Sequence, residues 1–145
     1  MTLNKVIFFH VGLERTGTTF LQKNVFPFFQ GITYVPKKKF SSAQEIISKS
    51  TFDRILVSKE FNRSFGNHVA DFASKADFPE HPVLILRRHD LWLKSQYKRY
   101  LKNGTKVSLD EFFSLDSRKG QLNKDALDYF EKIQFLEHQF KQKPL

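Results

Sequence analysis

The stretch Val6-Ile7-Phe8-Phe9-His10-Val11-Gly12-Leu13-Glu14-Arg15-Thr16-Gly17-Thr18-Thr19-Phe20 constrains the fold more than any other part of the chain. Four consecutive apolar residues without polar alternation fit a strand buried on both faces of a parallel sheet. Gly12 and Gly17, with four residues between them, bracket a turn, and Thr18-Thr19 open a helix. Such a turn aims several backbone N–H groups at one point beneath the positive end of a helix. That is a socket for a phosphate or sulfate group.

The 145 residues are expected to form one domain, 1–145, with seventeen phenylalanines supplying a largely aromatic core. The absence of cysteine excludes disulfides, thiolate metal sites and cysteine nucleophiles, and suits a cytoplasmic protein. No apolar run approaches the roughly 18 residues that span a bilayer. Met1–Lys5 leads into a strand-like segment without a small-residue cleavage site, so no signal peptide is expected. A net charge of +9 fits either a scattered basic surface or an anionic ligand drawn in by a focused field. Nucleic acid is not the expected partner. The aromatic residues fall in apolar patterns and do not alternate with Lys and Arg on one exposed face.

Strands are expected at Val6–Val11, Ile32–Val35, Arg54–Ser58 and Val83–Arg87. Helical spacing separates them: Thr18 to about Phe26, ended by Pro27; Ser42–Lys49, capped by Ser41 or Ser42; and Asn62 to about Ser74. Asp90 is expected to cap a helix to Lys102 that Asn103-Gly104 closes, and Leu109–Leu115 reads as a helical turn. Leu122 to about Phe140 reads as the longest helix, with Leu122, Ala126, Tyr129, Phe130, Ile133, Leu136 and Phe140 on its apolar face. Lys37-Lys38-Lys39 reads as a solvated loop, with a substrate-side basic patch as the alternative. Strands alternating with helices imply an α/β fold, a mostly parallel sheet with helical layers on both sides.

Gly12-x4-Gly17-Thr18-Thr19 approaches the nucleotide-binding pattern G-x-x-x-x-G-K-[ST], but Thr18 replaces the lysine and the cation is Arg15. An NTPase also needs a carboxylate at another strand end to hold Mg²⁺. Here Val83–Leu86 runs into Arg87-Arg88, so the metal side of that reading is poor. A second cluster follows the same run. Arg87 precedes a helix that carries Ser95, and an arginine fork plus a hydroxyl can grip a second anionic group. The alternative is an Arg87–Asp90 ion pair with Ser95 an ordinary helix residue.

As a pair, the two clusters resemble the sulfotransferase family. Gly12-Leu13-Glu14-Arg15-Thr16-Gly17-Thr18-Thr19 resembles its 5′-phosphosulfate loop, usually K-[ST]-G-T-T, with Arg15 standing where that pattern has lysine. Arg87 with Ser95 eight residues on resembles its 3′-phosphate motif. The resemblance implies a P-loop NTPase-like sulfotransferase fold and the donor 3′-phosphoadenosine 5′-phosphosulfate, used without a metal. It assigns donor binding to Gly12, Arg15, Thr16, Gly17, Thr18, Thr19, Arg87 and Ser95. Family domains usually continue past the long helix to another strand and a basic closing loop, so that C-terminal part is expected to be missing from these 145 residues.

Transfer would be an in-line displacement at sulfur, with Arg15 and the N–H groups of Gly17, Thr18 and Thr19 stabilising the leaving phosphate. Glu60, after the third strand, is the first candidate for the base that takes the acceptor's proton, and His10 is the second. For Glu60 the alternative is a surface carboxylate paired with Lys59 or Arg63; for His10 it is a core histidine. His89 is a candidate nucleotide contact. The acceptor is left open among carbohydrate, lipid, small alcohol and protein tyrosine, and self-association through the last helix is a further expectation. Three other functions compete: a non-catalytic nucleotide-binding remnant of the same fold, a P-loop kinase-like enzyme, and a basic module for polyanions.

Overall fold

Strand β1 (Val6–Gly12) is the axis on which the sheet is built. In it Ile7, Phe9, His10 and Val11 are fully buried, as expected of a strand covered on both sides. The computed structural model describes residues 4–61, 65–75, 79–116 and 118–145. By contacts the chain divides into two compact units, Met1–Ile85 with Ile133–Leu145, and Leu86–Lys132.

The first unit holds a four-stranded, wholly parallel sheet. With β2 (Thr33–Val35), β3 (Arg54–Glu60) and β4 (Glu80–Val83), the spatial order is β2-β3-β1-β4. Residues two apart share a face, so the partners of β1 define two layers. On the His10 side lie α1 (Thr18–Asn24) and the 3₁₀ turn Phe26–Phe28: Gln22 hydrogen-bonds to Ser58, and Phe26 meets the His10 ring edge-on at 5.1 Å. On the other side the Phe9 ring contacts Phe40, Phe61, Phe72 and Phe140, with centroids 4.2 to 6.1 Å away. Phe72 lies on α3 (Phe65–Ser74) and Phe140 on α6 (Tyr129–Phe140). The expected α/β sheet flanked by helices is present, and its core is aromatic. Lys5 is buried where α2 (Ala43–Lys49) ends, its ammonium donating to the carbonyls of Ile47 (2.6 Å) and Ser48 (2.8 Å). A cation belongs at that end of a helix dipole.

In the second unit α4 (His89–Lys102) ends at Asn103 and Gly104, whose φ is +90°. Phe112 is fully buried and packs on Tyr97 and Tyr100 at 5.2 and 4.8 Å. It ends α5 (Leu109–Phe112), whose start is fixed by a reciprocal cap between Ser108 and Glu111. A two-stranded pairing of β5 (Phe113–Ser114) with β6 (Leu122–Asn123) follows.

The structure corrects several sequence expectations. The fourth strand is Glu80–Val83, and residues 84–88 are not strand. Pro82 is tolerated inside this strand because its missing N–H faces away from β1. Its carbonyl, on the same outer side, accepts the N–H of Leu145 at 2.9 Å. The expected long helix from Leu122 is three pieces: β6, a 3₁₀ turn Lys124–Leu127, and α6. Asn123 accepts the N–H of Asp125 and Asp128 that of Glu131, so two side chains each start a new segment where periodicity alone reads one. Phe130 is consequently 67% exposed and lies off the buried face. Asp90 does not cap α4; it sits in the first turn and receives both arms of Arg88 at 2.7 Å. Ser42 precedes α2 without a side-chain cap, because the 3₁₀ turn Lys37–Ser42 already supplies the carbonyl of Phe40 to Ala43. The expected start of α3 at Asn62 lies outside the described residues.

Among the described residues two buried titratable groups, His10 and Glu80, make stability depend on pH between about 4 and 8. Burial lowers the His10 imidazole from 6.5 to about 4 and raises the Glu80 carboxyl from 4.5 to about 8. Each has one buried atom without a hydrogen-bond partner, His10 Nε2 and Glu80 Oε1. The unfolded chain protonates His10 near 6.5 while the folded chain resists until about 4, so this group costs stability as pH falls through that range. The unfolded chain ionises Glu80 near 4.5 while the folded chain holds the proton until about 8, so stability is lost as pH rises. The two oppose each other between 4.5 and 6.5, and Glu80 acts alone above that. Urea unfolding is therefore expected to show stability falling between pH 6.5 and 8, by at most about 2 kcal/mol. Glu80→Gln should abolish that slope; an equal slope in the variant would remove Glu80 as its source.

Candidate functional site

Parallel strands leave a sheet at one edge, and here β1 and β3 leave it side by side. Gly12 pairs with Glu60 at the end of the ladder, and the N–H of Phe61 donates to the Gly12 carbonyl at 3.0 Å. A Cβ on Gly12 would lie 2.7 Å from Thr18 Cγ2 and 3.3 Å from the Glu60 backbone. The first glycine is thus required by close packing of the returning helix against the strand end.

The turn from Leu13 to Gly17 closes on itself. The Thr16 hydroxyl donates to the Leu13 carbonyl at 2.8 Å, and the Thr18 hydroxyl reaches the same oxygen at 3.3 Å. Both side chains are buried, whereas Arg15, Gly17 and Thr19 are exposed. Thr16 and Thr18 therefore hold the loop's shape with their hydroxyls, and the surface offered to a ligand comes from backbone, Arg15 and Thr19. Gly17 has φ +93° and open space where a Cβ would stand. Arg15 has φ +63°, a left-handed conformation in a residue with a side chain. Such geometry costs on the order of 1–3 kcal/mol and persists where surrounding structure enforces it. Helix α1 has only seven residues, so its dipole adds less than the sequence pattern suggests.

Glu60 lies on the sheet face that carries Ser58 and His10, with its side chain 20% exposed. Lys37 Nζ stands 3.8 Å from Glu60 Oε2, while the Lys59 ammonium lies over the Phe40 ring at 5.3 Å. Arg63, the other expected partner, lies outside the described residues. His10 lies two residues below Gly12 and is fully buried. Its Nδ1 is hydrogen-bonded to Ser58 Oγ at 2.8 Å, and the Gln22 amide donates to that oxygen at 2.9 Å. The Tyr34 hydroxyl completes the group, donating to the Gln22 carbonyl at 3.4 Å. Burial raises its pKa, an effect partly offset by its hydrogen bond to Ser58. His10 is thus a member of an interior network that pins α1 to β1 and β3. Ser58, Gln22 and Tyr34 were not picked out from sequence, and Lys37 was read only within a run that is either a solvated loop or a substrate-side basic patch; their convergence depends on strand pairing that periodicity does not reveal.

The second predicted cluster belongs to the second unit. Leu86, Arg87, Arg88, His89 and Tyr129 line a hollow of about 280 Å³. The Tyr129 hydroxyl donates to the Arg87 carbonyl at 2.9 Å, and its ring lies 4.6 Å from that of His89. Asp90 pairs with Arg88, and those hydrogen bonds hold its carboxyl down at about 2. Ser95 is half-buried on α4. Tyr129 was assigned only to a helix face from sequence, and its hold on the Arg87 backbone is a tertiary feature.

No protein-family model matches the chain, and no curated protein matches it. Among the described residues no group of three or more His, Asp or Glu could hold a metal ion, and no helix is long and apolar enough to cross a membrane.

Gly12→Ala should destabilise the protein by about 1–3 kcal/mol, the usual cost of forcing a methyl into a packed interior. Chemical denaturation is the check, and an unaltered midpoint would show that Thr18 does not press on this position.

Proposed function

We propose that this chain is a sulfotransferase that moves a sulfuryl group from 3′-phosphoadenosine 5′-phosphosulfate to an acceptor hydroxyl or amine. The observation that carries the reading is the pairing of Gly12 with Glu60, which sets an anion-suited loop beside a partly exposed carboxylate. Ligands of open α/β sheets bind beyond the carboxyl ends of the strands. The resemblance of both clusters to the family's motifs supports the choice of nucleotide, and the finer sulfotransferase fold is part of the same proposal.

The loop residues fit the sulfated end of such a donor. Gly17 leaves the backbone open to close approach, Arg15 supplies a planar cation, and Thr16 and Thr18 keep the turn in shape. Arg87 and Ser95 take the 3′-phosphate in this reading. The acceptor oxygen or nitrogen forms the new bond to sulfur as the bond from sulfur to the bridging oxygen breaks. Negative charge collects on the 5′-phosphate, where Arg15 and the loop amides stabilise it. Glu60 receives the acceptor's proton. Its exposed edge gives an acceptor access that the buried His10 lacks, so His10 is assigned to positioning Ser58 and α1.

Calorimetric titration with 3′-phosphoadenosine 5′-phosphate in the absence of metal should give micromolar binding. Binding of ATP that requires Mg²⁺ would favour the kinase-like alternative instead. Arg15→Gly relieves a left-handed residue and should leave stability within about 1 kcal/mol of the parent, yet weaken nucleotide binding about tenfold or more, the loss of one charge-assisted contact. Equal affinities in variant and parent would take Arg15 out of the site. Glu60→Gln should retain nucleotide binding and lose transfer by about a hundredfold or more, the range for a general base.

A further inference from the structure

We propose that the acceptor at this edge is an anionic carbohydrate, held by the lysines that leave β2 beside Glu60; this rests on the sulfuryl-transfer reading above. The sheet order makes β2 the immediate neighbour of β3, so the chain leaving Val35 passes the end of the strand that carries Glu60. The next residues are Pro36-Lys37-Lys38, and both lysines are exposed. Lys37 stands 3.8 Å from the Glu60 carboxylate with its side chain 53% exposed. A charge-assisted hydrogen bond is about 2.7–2.9 Å, so that pairing is loose and leaves the ammonium's donors available to an incoming group. Arg15 adds a cation at the exit of β1, in the next position along the same edge.

Not every nearby lysine belongs to this surface. Lys39 instead lines a separate hollow of about 580 Å³ with Thr33, Ser42, Glu45 and Lys49. The Lys59 ammonium lies over Phe40, so that ring is covered by a cation and is not an open platform for a nucleobase. Single-stranded nucleic acids are gripped by stacking on exposed rings within a cationic groove, and Phe40 does not offer such a ring. A carbohydrate bearing sulfate or carboxylate groups offers what the surface does provide for. One sugar presents a free hydroxyl to Glu60 while neighbouring acidic groups meet Lys37 and Lys38.

The test measures binding of a sulfated dextran oligosaccharide, neutral dextran and polyglutamate to the full chain. Three proteins are compared: the parent, Lys37→Ala/Lys38→Ala, and the charge-matched control Lys98→Ala/Lys102→Ala on exposed positions of α4. The proposal expects tight binding of sulfated dextran alone, weakened about tenfold in the Lys37/Lys38 variant, with a salt slope smaller by about one to two. The control should change by less than about twofold. Equal losses in both variants, or no binding by the parent, overturn the proposal. So does polyglutamate bound as tightly and lost at the same lysines, which would make the partner an acidic peptide. Titration of the parent with 3′-phosphoadenosine 5′-phosphate separates the two levels. Failure there, with the dextran result intact, removes the sulfotransferase reading and leaves a carbohydrate-binding edge.

Discussion

The hydrogen-bonded ladder between β1 and β3 is the constraint on which the rest of the first unit depends. It runs in parallel register from Val6 with Arg54 to Gly12 with Glu60. A one-residue slip would exchange the two faces of a strand. His10 would then meet the phenylalanine layer, and Phe9 would face the polar group of Ser58, Gln22 and Tyr34. Burial of Ile7, Phe9 and Val11 makes that slip costly, so the hydrophobic pattern of one strand determines which residues stand together at the sheet's edge. Gly12 completes the arrangement by letting Thr18 return within a distance that no other residue would permit.

Within the loop from Leu13 to Gly17 there is a division of labour that residue types alone conceal. Two threonines of a motif rich in hydroxyls are spent on the Leu13 carbonyl. In the proposed donor site, recognition is therefore left to main-chain groups and to Arg15, held at a positive φ. A loop whose shape is secured from within presents the same donors before and after a ligand arrives, which is what stabilising a developing charge requires. The interior network under α1 serves the same end. Gln22 joins the helix to Ser58, two residues ahead of Glu60, and so ties the loop's helix to the strand that bears the carboxylate.

Legibility in the sequence followed locality. The strand, glycine turn and helix from Val6 to Asn24 could be read because every determinant lies within one short segment. Glu60 could be nominated because strand ends carry ligands, although its partner Lys37 could not. The errors came where local signals competed. Val83–Leu86 is as apolar as β1, yet the ladder uses Glu80–Val83, because Pro82 can sit with its nitrogen on the outer edge. Asn123 and Asp128 are capping residues inside an apolar repeat, and they divided what periodicity joined. Burial of Lys5 and Glu80 depends on distant segments and had no local signature.

The central claim is that the backbone around Gly17 receives the sulfated or phosphorylated end of a nucleotide, and amide chemical shifts report on that directly. In a titration of isotopically labelled protein with 3′-phosphoadenosine 5′-phosphate, the amides of Gly17, Thr18 and Thr19 should shift most within the first unit and saturate together with the calorimetric isotherm. Saturating binding that leaves those three amides unmoved would contradict the account, because the nucleotide would then be held without the loop.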